Sequence, residues 1–176
     1  MVSAVITRVR IAQRASPVAT LDFTGEYEHR IDDRGRLAIP AAYRMLFEHS
    51  GYLLPGPDGQ LELYTPEGYA QEKRTRTANN KLRAEDRRLA RGFFGRVRQV
   101  DLDRQGRIVI PQPMREQRGL SGDTTIIGMG DYLEIWNCDA WRSEQSEIDD
   151  SYAQLLQDLA ATLDAADANG RDEESS

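Results

Sequence analysis

The ten residues Ile31-Asp32-Asp33-Arg34-Gly35-Arg36-Leu37-Ala38-Ile39-Pro40 recur as Leu102-Asp103-Arg104-Gln105-Gly106-Arg107-Ile108-Val109-Ile110-Pro111, at a constant offset of 71 residues. The offset aligns Asp32 with Asp103, Gly35 with Gly106, Arg36 with Arg107 and, beyond the quoted stretch, Arg44 with Arg115. A second register matches Leu61-Glu62-Leu63-Tyr64 with Leu133-Glu134-Ile135-Trp136, then Tyr69 with Trp141. The chain therefore holds two copies of one unit of about 45 residues. A unit that short buries little apolar surface by itself, so the two copies are expected to pack on each other as a pseudo-dimer.

Each copy reads the same way locally. Residues 23–31 and 97–102 are strand-like, and the Asp-x-x-Gly that follows is turn chemistry, with Asp bonding nearby amides and Gly accepting positive φ. Arg36 and Arg107 thus fall just past tight turns. Residues 37–39 and 108–110 continue as short buried strands, stopped where Pro40 or Pro111 pre-sets the first turn of a helix. Those helices are expected over 41–48 and 113–117, the second ending near Gly119. Two further strands follow in each copy, 52–54 and 61–64 about Pro57-Asp58-Gly59, then 125–129 and 132–136 about Gly130-Asp131. Between the copies the pattern predicts two helices, 66–76 and 81–94, broken near Asn79-Asn80. Leu82, Leu89 and Phe93 line one face of the second, with its arginines largely off that face. Trp141, Ile148, Tyr152, Leu155, Leu156, Leu159 and Leu163 form the apolar stripe of a C-terminal helix. That helix is expected to stop before Asn169-Gly170 and to leave a disordered acidic tail.

Charge first argues against a polyanion partner: 23 Lys+Arg face 29 Asp+Glu, a net of −6. Its distribution reverses that argument. Residues 139–176 hold eleven acids against Arg142 and Arg171, whereas residues 70–98 hold ten bases against Glu72, Glu85 and Asp86. A basic footprint therefore exists locally. No apolar run approaches the 18 or so residues of a membrane span, so no membrane role is expected. Cys138 is the single cysteine and is read as an inert, partly buried residue. With only His29 and His49 beside it, neither a disulfide nor a zinc set can be assembled, and a reducing cytosol is implied. No nucleophile–base pair appears, and the Gly35 and Gly106 motifs lack the Gly-Lys-[Ser/Thr] ending of a phosphate-binding loop. An enzyme, a cofactor and a small-molecule substrate are accordingly not expected.

Two copies of Asp-x-x-Gly-Arg-[Leu/Ile]-x-Ile-Pro, the lead-in Phe23-Thr24-Gly25-Glu26-Tyr27 and the paired Leu-Glu-[Leu/Ile]-[Tyr/Trp] strands resemble the MraZ family of bacterial regulators. The resemblance covers roughly residues 23–148. It implies an α+β chain of two tandem AbrB-type swapped-hairpin β-barrel units, with connecting helices and a C-terminal amphipathic helix. It also implies a ring-like homo-oligomer that associates with the nucleoid. Such a protein binds short double-stranded DNA repeats upstream of the division and cell wall gene cluster and typically represses it. The family's DNA-contacting Arg carries over to Arg36 and Arg107, and the matching acids are Asp32 and Asp103.

The resulting organisation is a first unit at 23–69, a basic connector at 70–96, a second unit at 97–141, a C-terminal helix at 142–165 and an acidic tail at 166–176. Residues 1–22 are either a flexible basic extension or a mis-set start. In the DNA-binding reading, Arg36 and Arg107 read bases while Arg30, Arg34 and Arg104 contact phosphates. Asp32 and Asp103 orient the arginines, and Gly35 and Gly106 make the turns. The bland alternative is that Arg36 and Arg107 merely tie their own turns through the neighbouring Asp. Arg44 and Arg115 suit intersubunit salt bridges as well as DNA, and the C-terminal stripe is expected to pack on the body. A rival of another class is an AbrB-type protein-interaction scaffold or antitoxin-like module with incidental DNA affinity.

Overall fold

The computed structural model describes residues 22–47, 50–77 and 83–173. The N-terminal extension up to residue 21, the Asn79-Asn80 break and residues 174–176 lie outside the described residues. The fold is mixed α+β with antiparallel sheets. The first copy supplies β1 (Glu26–Ile31), β2 (Arg36–Ala38), a 3-10 helix (Ala41–Phe47), β3 (Ser50–Pro55) and β4 (Leu61–Tyr64). Two helices follow, α1 (Pro66–Thr77) and α2 (Ala84–Phe94). The second copy supplies β5 (Arg98–Asp101), β6 (Arg107–Val109), α3 (Gln112–Gln117), β7 (Gly122–Gly128) and β8 (Leu133–Asn137), and α4 (Cys138–Glu173) closes the chain.

Pairing crosses between the copies. The six-stranded sheet runs β1-β7-β8-β4-β3-β5, so the first strand of each copy lies beside the hairpin of the other. β2 pairs with β6 in a separate two-stranded ribbon. At the centre of the large sheet, Glu62 on β4 lies directly opposite Glu134 on β8. Strand alternation then sends Leu61, Leu63, Leu133 and Ile135 to the core, all fully buried. On the reverse face Tyr64 stacks on Tyr132 at 4.8 Å, the Tyr64 hydroxyl donates to Glu62 Oε2 at 3.0 Å, and the Trp136 indole donates to Glu134 Oε2 at 2.8 Å. Burial is the main reason the Glu62 carboxyl sits above its ordinary range, and it pushes the Tyr132 hydroxyl up to about 12.

A single core joins both copies: Leu37, Ile39, Phe47, Leu53 and Leu63 from the first meet Ile108, Ile110, Ile126, Leu133 and Ile135 from the second. Neither copy could bury these side chains alone, because the strands that cover them come from the other. Full burial of one such side chain stabilises by roughly 1.5–3 kcal/mol.

Two elements differ from the sequence expectation. The segment after Pro40 winds as a 3-10 helix rather than an α-helix. The C-terminal helix passes through Asn169 and Gly170 to Glu173, so most of the tail expected to be disordered is helical. Its last turns are rich in Ala160, Ala161, Ala165, Ala166 and Ala168, strong helix formers that carry it past the Asn-Gly signal. Among the described side chains of its apolar stripe, Trp141 packs on the body, 5.7 Å from Trp136 and donating to Glu26 Oε1 at 2.9 Å, whereas Tyr152 and Leu156 are exposed. None of the helices among the described residues is long and apolar enough to cross a membrane.

Candidate nucleic-acid interface

The site begins with two turns that make the same bonds. In the first, Asp32 Oδ1 accepts the amides of Arg34 and Arg36, each at 2.9 Å, and Asp32 Oδ2 accepts Arg36 Nε at 2.6 Å. In the second, Asp103 Oδ1 accepts the amides of Gln105 and Arg107 at 2.9 and 3.0 Å. Asp103 Oδ2 accepts both Nε and Nη2 of Arg107, at 2.8 and 2.6 Å. Each Asp therefore shapes its loop and fixes the direction of the guanidinium that follows. Gly35 and Gly106 close the turns at φ values of 76° and 73°, which a side chain disfavours.

The ribbon brings the two turns together. Arg36 is paired with Val109, Leu37 with Ile108 and Ala38 with Arg107. Side chains opposite each other in an antiparallel pair share a face, and residues two apart on a strand do too. Leu37 and Ile108, both fully buried, anchor the inner face in the core. The outer face is left to Arg36, Ala38, Arg107 and Val109, and Val109 is 53% exposed. The two arginines stand on one diagonal of that face, about 7–8 Å apart at the backbone. The register is extended by the Ile39 amide donating to the Gly106 carbonyl and the Ile110 amide donating to the Gly35 carbonyl, each at 2.9 Å.

Arg44 and Arg115, equivalent by the repeat, brace this arrangement from the flanks. Arg44 Nε donates to the Ile39 carbonyl at 2.8 Å, and Arg115 Nε donates to the Ile110 carbonyl at 3.1 Å. Each then lies over the glycine of the other copy's turn. A Cβ on Gly106 would fall 2.3 Å from Arg44 Cδ, and one on Gly35 would fall 2.7 Å from Arg115 Nε. A side chain at either glycine would push the bracing arginine aside, so the glycines serve this close approach as well as the turn's φ. The 71-residue repeat marks both arginines in the sequence, but their crossing over to the opposite copy depends on tertiary pairing.

Electrostatics distinguishes the turns. The Asp32 carboxyl is held below its ordinary range, chiefly by the Arg36 backbone amide and then by the Arg36 side chain. The Asp103 carboxyl is held down to about 2, chiefly by the Arg107 side chain. The other arginines of interest lie around the ribbon. Arg34 and Arg104 are exposed on the turns, while Arg30 on β1 pairs with Asp123 at 2.8 Å across the β1–β7 edge, with both side chains more than 70% exposed. Arg30 is thus not part of the ribbon face. Ala38 and Val109, which complete that face, went unnoticed at the level of sequence because only the register reveals them.

Chemically, the arrangement is a rigid two-stranded ribbon with two oriented guanidinium groups on an accessible face. A two-stranded ribbon can enter the major groove of double-stranded DNA, and an arginine can bond two acceptors of a guanine edge. The bonds to Asp use one of the five N–H donors of Arg36 and two of those of Arg107.

A fold and site of this kind define a tandem-repeat protein with a duplicated arginine ribbon. The family model described as "MraZ protein, putative antitoxin-like" matches this chain twice, over residues 23–92 and 93–164. Two relatives, from Syntrophomonas wolfei subsp. wolfei and Moorella thermoacetica, are each named "Transcriptional regulator MraZ". Each is 34% identical over 137 residues, covering 78% of this chain and 96% of the relative. The chain belongs to the MraZ family.

Proposed function

We propose that this chain is a sequence-specific DNA-binding transcriptional regulator without enzymatic activity, in which the β2–β6 ribbon enters the major groove. Arg36 and Arg107 read base edges, and Arg34, Arg104 and Arg30 contact phosphates that position without specifying. The observation that carries this reading is the pair of Asp-oriented arginines on one diagonal of the exposed ribbon face. Orientation by Asp lowers the ordering cost of each contact, because the guanidinium is already held when DNA arrives.

Membership of the MraZ family and the names of the relatives support regulation of transcription. The family resemblance carries the finer reading, repression of the division and cell wall gene cluster through repeats in the upstream region. In the same reading the crossed strand pairing makes a swapped-hairpin pseudo-dimer of AbrB-type units, 23–69 and 97–141, and the chain assembles into a cytoplasmic, nucleoid-associated homo-oligomeric ring. Linked copies bind successive repeats at high effective concentration, which turns weak single contacts into a stable complex.

The test is a fluorescence-anisotropy titration of labelled DNA from the region upstream of its own gene, beside a scrambled duplex, over a series of salt concentrations. Preferential binding of the upstream DNA is expected, with affinity falling linearly in log salt. Equal affinity for both duplexes would overturn sequence-specific regulation. An antitoxin-like role, which the family description also carries, predicts instead a stable complex with a protein and no preference for the upstream duplex.

A further inference from the structure

None of the residues of α2 is buried. Phe93 lies near Tyr69, with ring centres 6.3 Å apart, and Tyr69 stacks on Tyr52 at 4.1 Å; Arg76 lies 4.7 Å above the Phe93 ring. Beside that anchor, Leu89 is 69% and Phe94 36% exposed. With Leu54, Pro55 and Pro57 from the end of β3 and the loop after it, they line an open groove whose wall also carries Arg88 and Arg96. Apolar side chains flanked by basic ones suit a partner that is apolar along one stripe and acidic beside it. A phosphate backbone would leave the leucine and phenylalanine unmatched.

This chain carries such a segment. α4 spans 36 residues, about 54 Å at 1.5 Å per residue, and is held to the body near Trp141 and Gln145 through Glu26. Farther along, Tyr152 and Leu156 are 57% and 49% exposed, and the exposed Asp149, three residues before Tyr152 and seven before Leu156, lies on the same side of the helix. Tyr152 and Leu156 are four residues apart and so lie on one side of the helix. The 11 residues of α2 offer about 16 Å of groove, the length of a comparable stretch of α4. Pairing α4 with another α4 would instead bring acid against acid.

The geometry points to the α2 groove as the docking site for the exposed, acidic part of α4 from a second copy of this chain. The interface is head-to-tail: each copy offers a groove and a helix, and repetition closes into a ring or extends as a filament. The inference rests on the reading of the chain as self-assembling and names the surfaces that would do it.

A charge swap tests it on the full-length protein. One variant carries Arg88→Glu with Arg96→Glu; the other carries Asp149→Lys. Each alone sets like charges across the interface and is expected to lose assembly, while their equimolar mixture restores both junctions and the wild-type size by mass photometry. Thermal unfolding of each variant near that of the wild type shows that the fold is intact. Three results overturn the assignment: assembly of either variant alone at the wild-type size, no recovery on mixing, or loss of DNA binding by the α2 variant with assembly unchanged. The last would make α2 a DNA-contacting arm. A wild-type chain that is monomeric at micromolar concentration overturns the self-assembly reading itself, and this inference with it.

Discussion

The turn at Asp32–Arg36 and the turn at Asp103–Arg107 share a backbone and differ in charge. Both use an Asp to bond two amides, a glycine near φ 75° and an arginine locked to the Asp. The first has two acids and two bases, because Asp33 follows Asp32; the second has one acid and two bases, because Arg104 stands where Asp33 does. The residues required to make the turn are duplicated, whereas the residues at its tip, which face solvent, have diverged. The two copies are therefore expected to present equivalent readers to DNA with unequal attraction for its phosphates.

The largest expected effects fall on the shared part. Gly106→Ala places a methyl group against Arg44 at a φ of 73°, and should cost about 1–3 kcal/mol, or several degrees in thermal unfolding. Gly35→Ala should cost less, since its nearest neighbour is the more distant Arg115 Nε. Equal stability of Gly106→Ala and the wild type would show that the cross-copy brace is not under constraint.

The divergent part gives the next effect. Arg104→Ala should weaken DNA binding alike on all sequences and lower the slope of log affinity against log salt by about 1. Asp33→Asn should strengthen binding at low salt by removing a negative charge beside the phosphates. Measured by anisotropy, no change from either substitution would separate the turn tips from the DNA.

The smallest effect is in proton binding. Asp103 owes its low pKa mainly to the Arg107 side chain, and Asp32 owes its own mainly to a backbone amide. Arg107→Ala should therefore raise the Asp103 pKa more than Arg36→Ala raises that of Asp32, as read by carboxyl NMR titration. A carboxyl depressed in the folded state stabilises it above the unfolded value, near 4, and that contribution is lost as pH falls through the folded value, here about 2. The contribution of the second turn should thus persist to lower pH than that of an ordinary aspartate.

Much of this was legible in the sequence wherever one residue carries a local constraint. The Asp-x-x-Gly turns, the stops at Pro40 and Pro111 and the 3.6-residue stripe of α4 each leave a mark within a few positions. Strand partners leave none. That β1 lies beside β7, or that Ala38 faces Arg107, follows from which register buries Leu37 and Ile108 together, and such a choice belongs to the whole core. For the same reason Arg44 and Arg115 were visible as a repeated pair, but not as braces on the opposite copy. The end of α4 escaped because alanine-rich propensity outweighed an Asn-Gly signal. The exposure of Tyr152 and Leu156 escaped because periodicity reveals a stripe without revealing what covers it.

The central claim is that the ribbon reads sequence through Arg36 and Arg107, and the ratio of affinities for upstream and scrambled DNA at one salt concentration tests it most directly. With each bidentate arginine contributing about 1–3 kcal/mol of discrimination, Arg36→Ala with Arg107→Ala should bring that ratio close to one while leaving salt-dependent binding to both duplexes. A double variant that keeps the wild-type ratio would contradict the account and return both arginines to the role of tying their own turns.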